Sequence, residues 1–299
     1  MKPTLLILAA GMASRYGSMK QIDGFGPNGE TIIDYSIYDA IKAGFGKISF
    51  IIREEFLDSF KSIFEPKLAG KIETDYIFQT FDLKKYGIDK EIERAKPWGT
   101  GHAILEAQKQ IHEPFCVINA DDFYGYEAFK NMVDFLTKEA NATTYSIVGY
   151  KIGNTLSENG SVSRGVCQTD TAGNMTEINE RTKVYRKNGQ IVYENEDGST
   201  HPLADDTPVS MNFWGFTPDV FSVTEQLFID FVHQNEDKPK AEFFIPLIAD
   251  YLIKHHKANF KVIPTDAKWF GVTYKEDKET VQESINKLVE NGTYPTKLW

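Results

Sequence analysis

Short apolar runs alternate with helix-patterned segments through the first 150 residues, and this alternation restricts the fold more than any other property of the chain. Runs at 4–9, 47–52, 73–78, 115–119 and 144–150 are rich in Leu, Ile, Val and Phe, while 32–44, 54–64, 101–112 and 126–139 carry helical spacing. Strands and helices in regular turn predict a parallel sheet covered by helices on both faces. Leu5, Leu6, Ile7 and Leu8 are apolar without interruption, as suits a strand buried on both sides. In open sheets of this kind ligands bind at the carboxyl ends of the strands. The residues that follow each run are therefore the candidates for chemistry.

The first run leads directly into Ala9-Ala10-Gly11 and a loop carrying Arg15, Gly17 and Lys20. Gly11 allows a ligand to approach the main chain closely, and two fixed cations follow, an arrangement that suits phosphate. It is not a Walker A loop, because five residues separate Gly11 from Gly17 and Lys20 comes three after the second glycine. Gly24-Phe25-Gly26-Pro27-Asn28-Gly29 matches the dinucleotide fingerprint literally, but no strand runs into it and Pro27-Asn28 marks a turn.

Beyond residue 150 the pattern becomes strand-rich, with turns at Asn159-Gly160, Gly173-Asn174, Lys187-Asn188-Gly189 and Asp197-Gly198, before helices return at 219–236, 242–256 and 276–291. No Pro/Gly/Ser linker separates the halves, and no internal repeat or hexapeptide array is present. A net charge of −10 over 299 residues argues against general nucleic-acid binding, which needs clustered Lys and Arg. Cys116 and Cys167 lack metal or redox spacing and are expected to be buried thiols. No apolar run reaches membrane-spanning length and the amino terminus lacks a secretory pattern, so the expected location is cytoplasmic. The Asn-x-Ser/Thr triplets at Asn141, Asn159, Asn174 and Asn291 are then chance matches. Oligomeric state is not legible.

Two further segments carry candidate chemistry. Gly99-Thr100-Gly101 opens a predicted helix near His102 and is expected to lay bare backbone beside a planar or anionic ligand. His102 is expected to hold that loop by hydrogen bonds. Residues 80–98, rich in Lys, Asp and Glu, are expected to form a solvated loop or short helix, with a lid over the site as the alternative. The run Phe115 to Asn119 delivers Asp121 and Asp122 to the same sheet edge as Gly11. Mg²⁺ needs only one or two carboxylates when phosphate oxygens and water complete its shell.

Ala9, Ala10, Gly11, Arg15 and Lys20 together resemble the amino-terminal signature of sugar-1-phosphate nucleotidylyltransferases and their relatives acting on other phosphorylated alcohols. The resemblance runs over roughly residues 3–290. It implies an α/β fold of the GT-A-like kind, a three-layer α/β/α nucleotide-binding fold with a mostly parallel mixed central sheet. It further implies a single domain over 1–299, with 1–150 holding nucleotide and metal and 151–299 holding the sugar phosphate. The implied partners are an NTP and a sugar 1-phosphate, with Mg²⁺ as cofactor and neither nucleic acid nor membrane involved.

By residue, the resemblance implies catalytic roles for Arg15 and Lys20 and nucleotide binding by Leu8, Ala9, Ala10 and Gly11. Gln79, Gly99, Thr100 and Gly101 match the base-binding segment of uridylyltransferases acting on amino-sugar phosphates. Asp121 matches the metal-binding aspartate, assisted by Asp122. Gly165, Glu180 and Asn212 match sugar-phosphate contacts, although Asn212 could instead cap a turn. Arg181 stands where many members have Lys, which leaves Arg181 and Lys183 as rival phosphate contacts.

One departure from the pattern falls near the carboxyl end. Gly271 or Val272 occupies the place of a second metal-binding Asp or Asn, and neither Asp266 nor Asp277 is at the matching position. Asp277 is expected to begin the last helix, where the dipole favours an acid. The departure leaves three readings open: Mg²⁺ held by Asp121 plus substrate phosphates, another carboxylate in its place, or a non-catalytic homologue; a transferase for a non-sugar phosphate such as a polyol or choline phosphate is a separate rival. A glycosyltransferase would need an Asp-x-Asp motif after a strand, which the contiguous Asp121-Asp122 does not supply.

Overall fold

A computed structural model describes residues 1–11, 24–94, 96–274 and 276–299, so Arg15 and Lys20 lie outside the described residues. The first half alternates as the apolar runs predict: β1 (Thr4–Leu8), α1 (Ile32–Ala43), β2 (Lys47–Ile52), α2 (Leu57–Leu68), β3 (Glu73–Phe78), α3 (Thr100–Leu105), β4 (Phe115–Asn119), a short β5 (Asp122–Phe123), α4 (Tyr126–Lys138) and β6 (Thr144–Lys151). Antiparallel strands then dominate: β7 (Val162–Thr169), β8 (Met175–Lys187), β9 (Gln190–Glu194), β10 (Thr200–Leu203) and β11 (Pro208–Phe216). The chain closes with α5 (Val220–Gln234), α6 (Ile245–Lys254), β12 (Asn259–Thr265), β13 (Phe270–Gly271) and α7 (Asp277–Glu290).

One mixed sheet runs through both halves in the order β10-β9-β8-β7-β11-β4-β1-β2-β3, with β6 beside β11 and β12 beside β6. β4, β1, β2 and β3 are mutually parallel, as are β6 and β12, and the β11-β7-β8-β9-β10 ladder is antiparallel. Alternate residues of β1 serve opposite cores. Leu5 and Ile7 join Ile33, Phe60, Phe64 and Phe129 under α1, α2 and α4, whereas Leu6 joins Ile104, Phe228 and Ile248 under α3, α5 and α6. Burial on both faces is why the strand shows no polar alternation.

Two predicted segments differ. The helix expected over 101–112 ends at Leu105, because Ala107 and Gln108 donate to carbonyls three residues back and tighten the chain into turns. The 80–98 segment is not simply solvated. Leu83, Ile88 and Trp98 are buried, Tyr86 packs edge-on to Phe228, and Arg94 lies 3.8 Å over the Trp98 ring. Cys116 and Cys167 are free and buried, and burial pushes both thiols up. Among the described residues no helix is long and apolar enough to cross a membrane.

Candidate active site

From β1 the sheet grows outward through β2 to β3, and the chain then returns to lay β4 on the other side of β1. The carboxyl ends of β1 and β4 therefore flank a topological switch point, where neighbouring connections leave in opposite directions and open a crevice. Ala9 N donates to Ile51 O at 2.8 Å, which continues β1 alongside β2 up to this edge. Ala9 and Ala10 are buried, Leu8 is partly exposed, and a Cβ on exposed Gly11 would meet no described atom within 4 Å. Among the described residues nothing fills that side of the main chain at Gly11. The Gly24 to Gly29 fingerprint is different: Phe25 N and Gly26 N both donate to Glu30 O, and Gly29 N donates to Gly26 O. Those amides close a turn and do not face a phosphate.

At the β3 end, Gln79 N donates to Ile52 O, and the Gln79 side chain reaches across to Gly99, with Nε2 3.1 Å from its carbonyl. The same Nε2 is 3.3 Å from His102 Nδ1. His102 is fully buried, stacked on Phe228 at 4.5 Å, with Nε2 3.1 Å from Glu106 Oε1 but off the line of its N–H. Burial lowers the His102 pKa, and Glu106 opposes that shift. Burial likewise works against the Glu106 charge, yet His102 and Lys85 hold its carboxyl below the usual range.

Packing by itself requires the two glycines here. A Cβ on Gly99 would lie 2.6 Å from Phe243 O, and one on Gly101 would lie 2.7 Å from the Phe243 ring. Gly101 N is also spent on Phe243 O, and Thr100 Oγ1 accepts from Ile245 N. Their missing side chains admit the segment at Phe243, so bare backbone beside a ligand is not what requires glycine at these positions. Gln79 and Thr100 are the partly exposed members of this group.

Asp121 and Asp122 follow β4, both partly exposed. Asp122 Oδ2 accepts from Asn119 Nδ2 at 2.9 Å and lies 3.2 Å from the Tyr124 hydroxyl, which is also 3.0 Å from Met211 O. Desolvation, then the Asp121 charge, raises the Asp122 pKa. Asn119 Oδ1 in turn accepts from Asn212 Nδ2 at 2.7 Å, and Asn212 Oδ1 accepts from Trp214 Nε1 at 2.9 Å. Asn212 does more than cap a turn. It sits at a bulge where Ser210 to Trp214 of β11 oppose only Gly149 to Ile147 of β6, and its φ of 60° is rare for a residue with a side chain.

Position 271 is explained by the pairing of β13 with β5, which sets Gly271 opposite Asp122. A Cβ at 271 would stand 2.8 Å from Asp122 Oδ1. The Asp122 carboxylate occupies the space that any side chain at 271 would enter. Asp277 is engaged elsewhere, accepting from Ser157 Oγ, Asn159 Nδ2, Thr273 N and Tyr274 N, and it begins α7 as expected. Asp266 is exposed and paired with Lys151. Among the described residues no group of three or more His, Cys, Asp or Glu is assembled for a metal. The donor set at β4 is two carboxylates, which fits a hard cation that shares its shell with phosphate oxygens and water.

The sugar-phosphate candidates are only partly brought together. Gly165 on β7 is opposite Glu180 on β8, and packing explains the glycine, because a Cβ would lie 3.1 Å from Ile178 Cδ1. Arg181 follows Glu180 in the same strand and so projects to the other face, where it lies 4.5 Å over the Tyr193 ring. Between the Arg164–Arg181 and Val162–Val184 pairs, β8 has one extra residue, and Lys183 there adopts φ 51° and bonds Glu194 at 2.8 Å.

Three residues were not anticipated. Asn119 and Tyr124 brace Asp122, and the polar end of an otherwise apolar strand is the signal that marks Asn119. Arg164 is buried, bonded to Thr155 and 4.8 Å from the Trp269 ring. Burial brings its pKa down to about 10, while the charges of Asp122 and Glu180 oppose the shift.

A nucleotidyl transferase family model matches residues 6–284. No curated protein sequence matches the chain significantly. Three solved structures have a similar fold. The inositol-1-phosphate CTP transferase from T. maritima gives a TM-score of 0.64 at 12% identity, covering 97% of each chain. A UDP-glucose pyrophosphorylase complexed with UDP-glucose gives 0.54 at 16%, covering 96% of this chain and 99% of that one. A putative glucose-1-phosphate thymidylyltransferase from Bacillus anthracis, in complex with a sucrose, gives 0.58 at 12%, covering 94% of each.

Proposed function

The chain belongs to the nucleotidyl transferase family, and on that premise we propose that it is a cytoplasmic enzyme moving a nucleotidyl group from an NTP to a sugar 1-phosphate, giving an NDP-sugar and pyrophosphate. The observation that carries the reading is the order of candidates along one sheet edge: Gln79 after β3, Ala9 to Gly11 after β1, Asp121 and Asp122 after β4, Asn212 in β11 and Gly165 in β7. From β3 to β7 is five strand spacings, about 24 Å. That span suits an extended ligand with a base at one end, phosphates at the switch point and an acceptor at the other.

In the proposed reaction a phosphate oxygen of the acceptor attacks the α-phosphorus, and the bond to the departing pyrophosphate breaks. No bond to the protein forms, so its work is positioning and charge neutralisation. Main chain at Leu8 to Gly11 would hold the triphosphate, with Arg15 and Lys20 balancing charge on the α-phosphate and pyrophosphate. Gln79 and the Gly99 to Gly101 turn would border the base. Asp121 and Asp122 would hold Mg²⁺, which when bound offsets phosphate charge. Asn119 and Tyr124 would keep the Asp122 carboxylate in place. The closeness of Asp122 Oδ1 to position 271 supports a catalytic reading over a non-catalytic homologue, since the acid expected there has a neighbour that serves instead.

Glu180, Asn212 and one of Arg181 and Lys183 would contact the acceptor. A polyol phosphate is the second reading, favoured by the placement of Glu180 and Arg181 on opposite faces of β8. A screen of the four NTPs against sugar 1-phosphates and polyol phosphates, reading pyrophosphate release, separates the two. Lys20→Ala should cut turnover on the best pair by about 10²–10³ or more. Asp121→Asn should shift the Mg²⁺ titration. Nucleotide binding without turnover on any pair would overturn catalysis, and near-normal turnover by Lys20→Ala would remove that residue from the mechanism.

A further inference from the structure

We infer that Tyr294 is a positioning residue for Asp122: the carboxyl-terminal segment 291–299 is a clasp that seats the short strand β5, and Tyr294 is the wedge through which it acts. The inference rests on the nucleotidyl-transfer reading, in which Asp122 helps to hold Mg²⁺, and adds the part of the chain that fixes where that carboxylate stands. The segment follows the last residue that the family model matches.

Asn119 and Tyr124 hold the Asp122 side chain, but the main chain beneath it needs a support of its own. β5 is two residues long and pairs with the two residues of β13. A ribbon that short is not stable by itself, so side-chain packing must seat it. Phe123, beside Asp122, is buried and stacked on Phe270 at 4.3 Å, and it meets the rings of Tyr35 of α1 at 6.4 Å and Tyr294 at 6.0 Å. Ser36, also on α1, donates its hydroxyl to Asp122 O at 3.3 Å. The place of Asp122 is therefore set by how β5 lies against α1.

Tyr294 occupies that junction. Gly292 turns the chain at the end of α7 with φ 80°, and Tyr294 N donates back to Leu288 O at 3.1 Å. The Tyr294 ring is buried, edge-on to Tyr35 at 5.0 Å as well as to Phe123, and its hydroxyl donates to Asp39 Oδ2 at 2.6 Å. Edge-on aromatic contacts at these distances favour one ring orientation as well as one spacing. The residues that follow keep the wedge in place. Asn28 Nδ2 donates to Thr296 O at 2.6 Å, Leu298 is buried, and Trp299 Nε1 donates to Asp34 Oδ1 at 3.2 Å. Asn28 precedes α1, and Asp34 and Asp39 lie on it, so the segment is fastened along the helix that carries Tyr35 and Ser36. A smaller side chain at 294 would let β5 shift toward α1 and take Asp122 with it.

The test is the binding of Mn²⁺ to the full chain in the presence of each of the four NTPs without acceptor, read by water-proton relaxation, which needs no turnover. Tyr294→Leu removes the ring and should weaken Mn²⁺ binding about tenfold or more with the NTP that wild type binds best, the usual cost of losing a support behind a metal-holding carboxylate. Tyr294→Phe keeps the ring against Phe123 and Tyr35 and should restore most of that loss. Leu252→Ala, a truncation in the core on the other face of the sheet, should bind Mn²⁺ as wild type does. If Tyr294→Leu fails to melt cooperatively, Trp299→Ala, at a partly exposed position, decides in its place and should bind Mn²⁺ more weakly than Leu252→Ala. Wild-type affinity in folded Tyr294→Leu, or in Trp299→Ala where that stands in, overturns the inference, and so does an equal loss in Leu252→Ala. Asp122→Asn separates the two levels. If it weakens Mn²⁺ binding while the Tyr294 and Trp299 variants do not, the inference alone fails. An unchanged titration in Asp122→Asn, or no Mn²⁺ binding by wild type with any NTP, overturns both the inference and the reading beneath it.

Discussion

The parallel and antiparallel halves of the sheet hold their candidate residues in different ways. In the parallel half, β3, β2, β1 and β4 all end on one edge, so the residue after each strand arrives at the site with no further geometry needed. In the antiparallel half, position depends on irregularities. β11 pairs with β7 through Val209 and Ser210 and with β4 through Trp214 to Phe216, and the change of partner takes place at the bulge that holds Asn212. β8 carries a second bulge at Thr182-Lys183. A bulge re-aims side chains, so a motif read by spacing is dependable in the first half and fragile in the second.

The largest effect that would test this contrast is expected at Gly99. Its φ of 103° and ψ of 179° belong to a region open almost only to glycine, and a Cβ would overlap Phe243 O. Gly99→Ala should destabilise the protein by roughly 2–6 kcal/mol, read as a lower urea midpoint at unchanged slope. A variant within error of wild type would mean the Phe243 segment does not lock the parallel edge.

A smaller effect is expected at the junction of the halves. Asn212→Ala and Asn212→Gly both remove the bonds to Asn119 and Trp214, but only Ala keeps the cost of a positive φ. Ala should therefore be less stable than Gly by about 1–2 kcal/mol. Equal stabilities would show that the bulge relaxes once its side chain is gone, making the antiparallel half more forgiving than the contrast holds.

The smallest effect is expected in the outer ladder. Lys183 is well exposed and drawn toward Glu194, whereas Arg181 is opposite Arg164, on the strand next to β7. Lys183→Ala should leave both the melting temperature and the acceptor KM near wild type, and Arg181→Ala should raise the acceptor KM. The reverse order would assign the acceptor phosphate to Lys183 and show that the bulge brings it inward.

Much of the fold was legible because burial on both faces leaves a local mark. Phe115 to Asn119 and Lys47 to Ile52 read as strands from their own composition, and β2 and β4 have those bounds. His102 was expected to hold its loop by hydrogen bonds; its Nδ1 lies 3.3 Å from Gln79 Nε2, and it is Gln79 that bonds the loop at Gly99 O. The role of the glycines at 99 and 101 was not legible, because the group they accommodate, Phe243, is over 140 residues away in sequence. Arg15 and Lys20 were read from the signature and lie outside the described residues. Asn119, Tyr124 and Arg164 escaped because a polar residue inside an apolar run shows its partners only when the run is folded.

What the amino-acid sequence determined by itself was which segments of the first 150 residues form the parallel strands, where those strands end, and which carboxylates, glycines and cations the ends carry. These follow from periodicity and composition within a few residues, which act before any long-range contact forms. Only the tertiary structure decided that Asp122 fills the space at Gly271, that Asn212 ties β11 to β4, and that Glu180 and Arg181 face apart. Each depends on register between strands distant in sequence, and a one-residue bulge changes which side chain meets which partner while leaving the apolar pattern almost untouched.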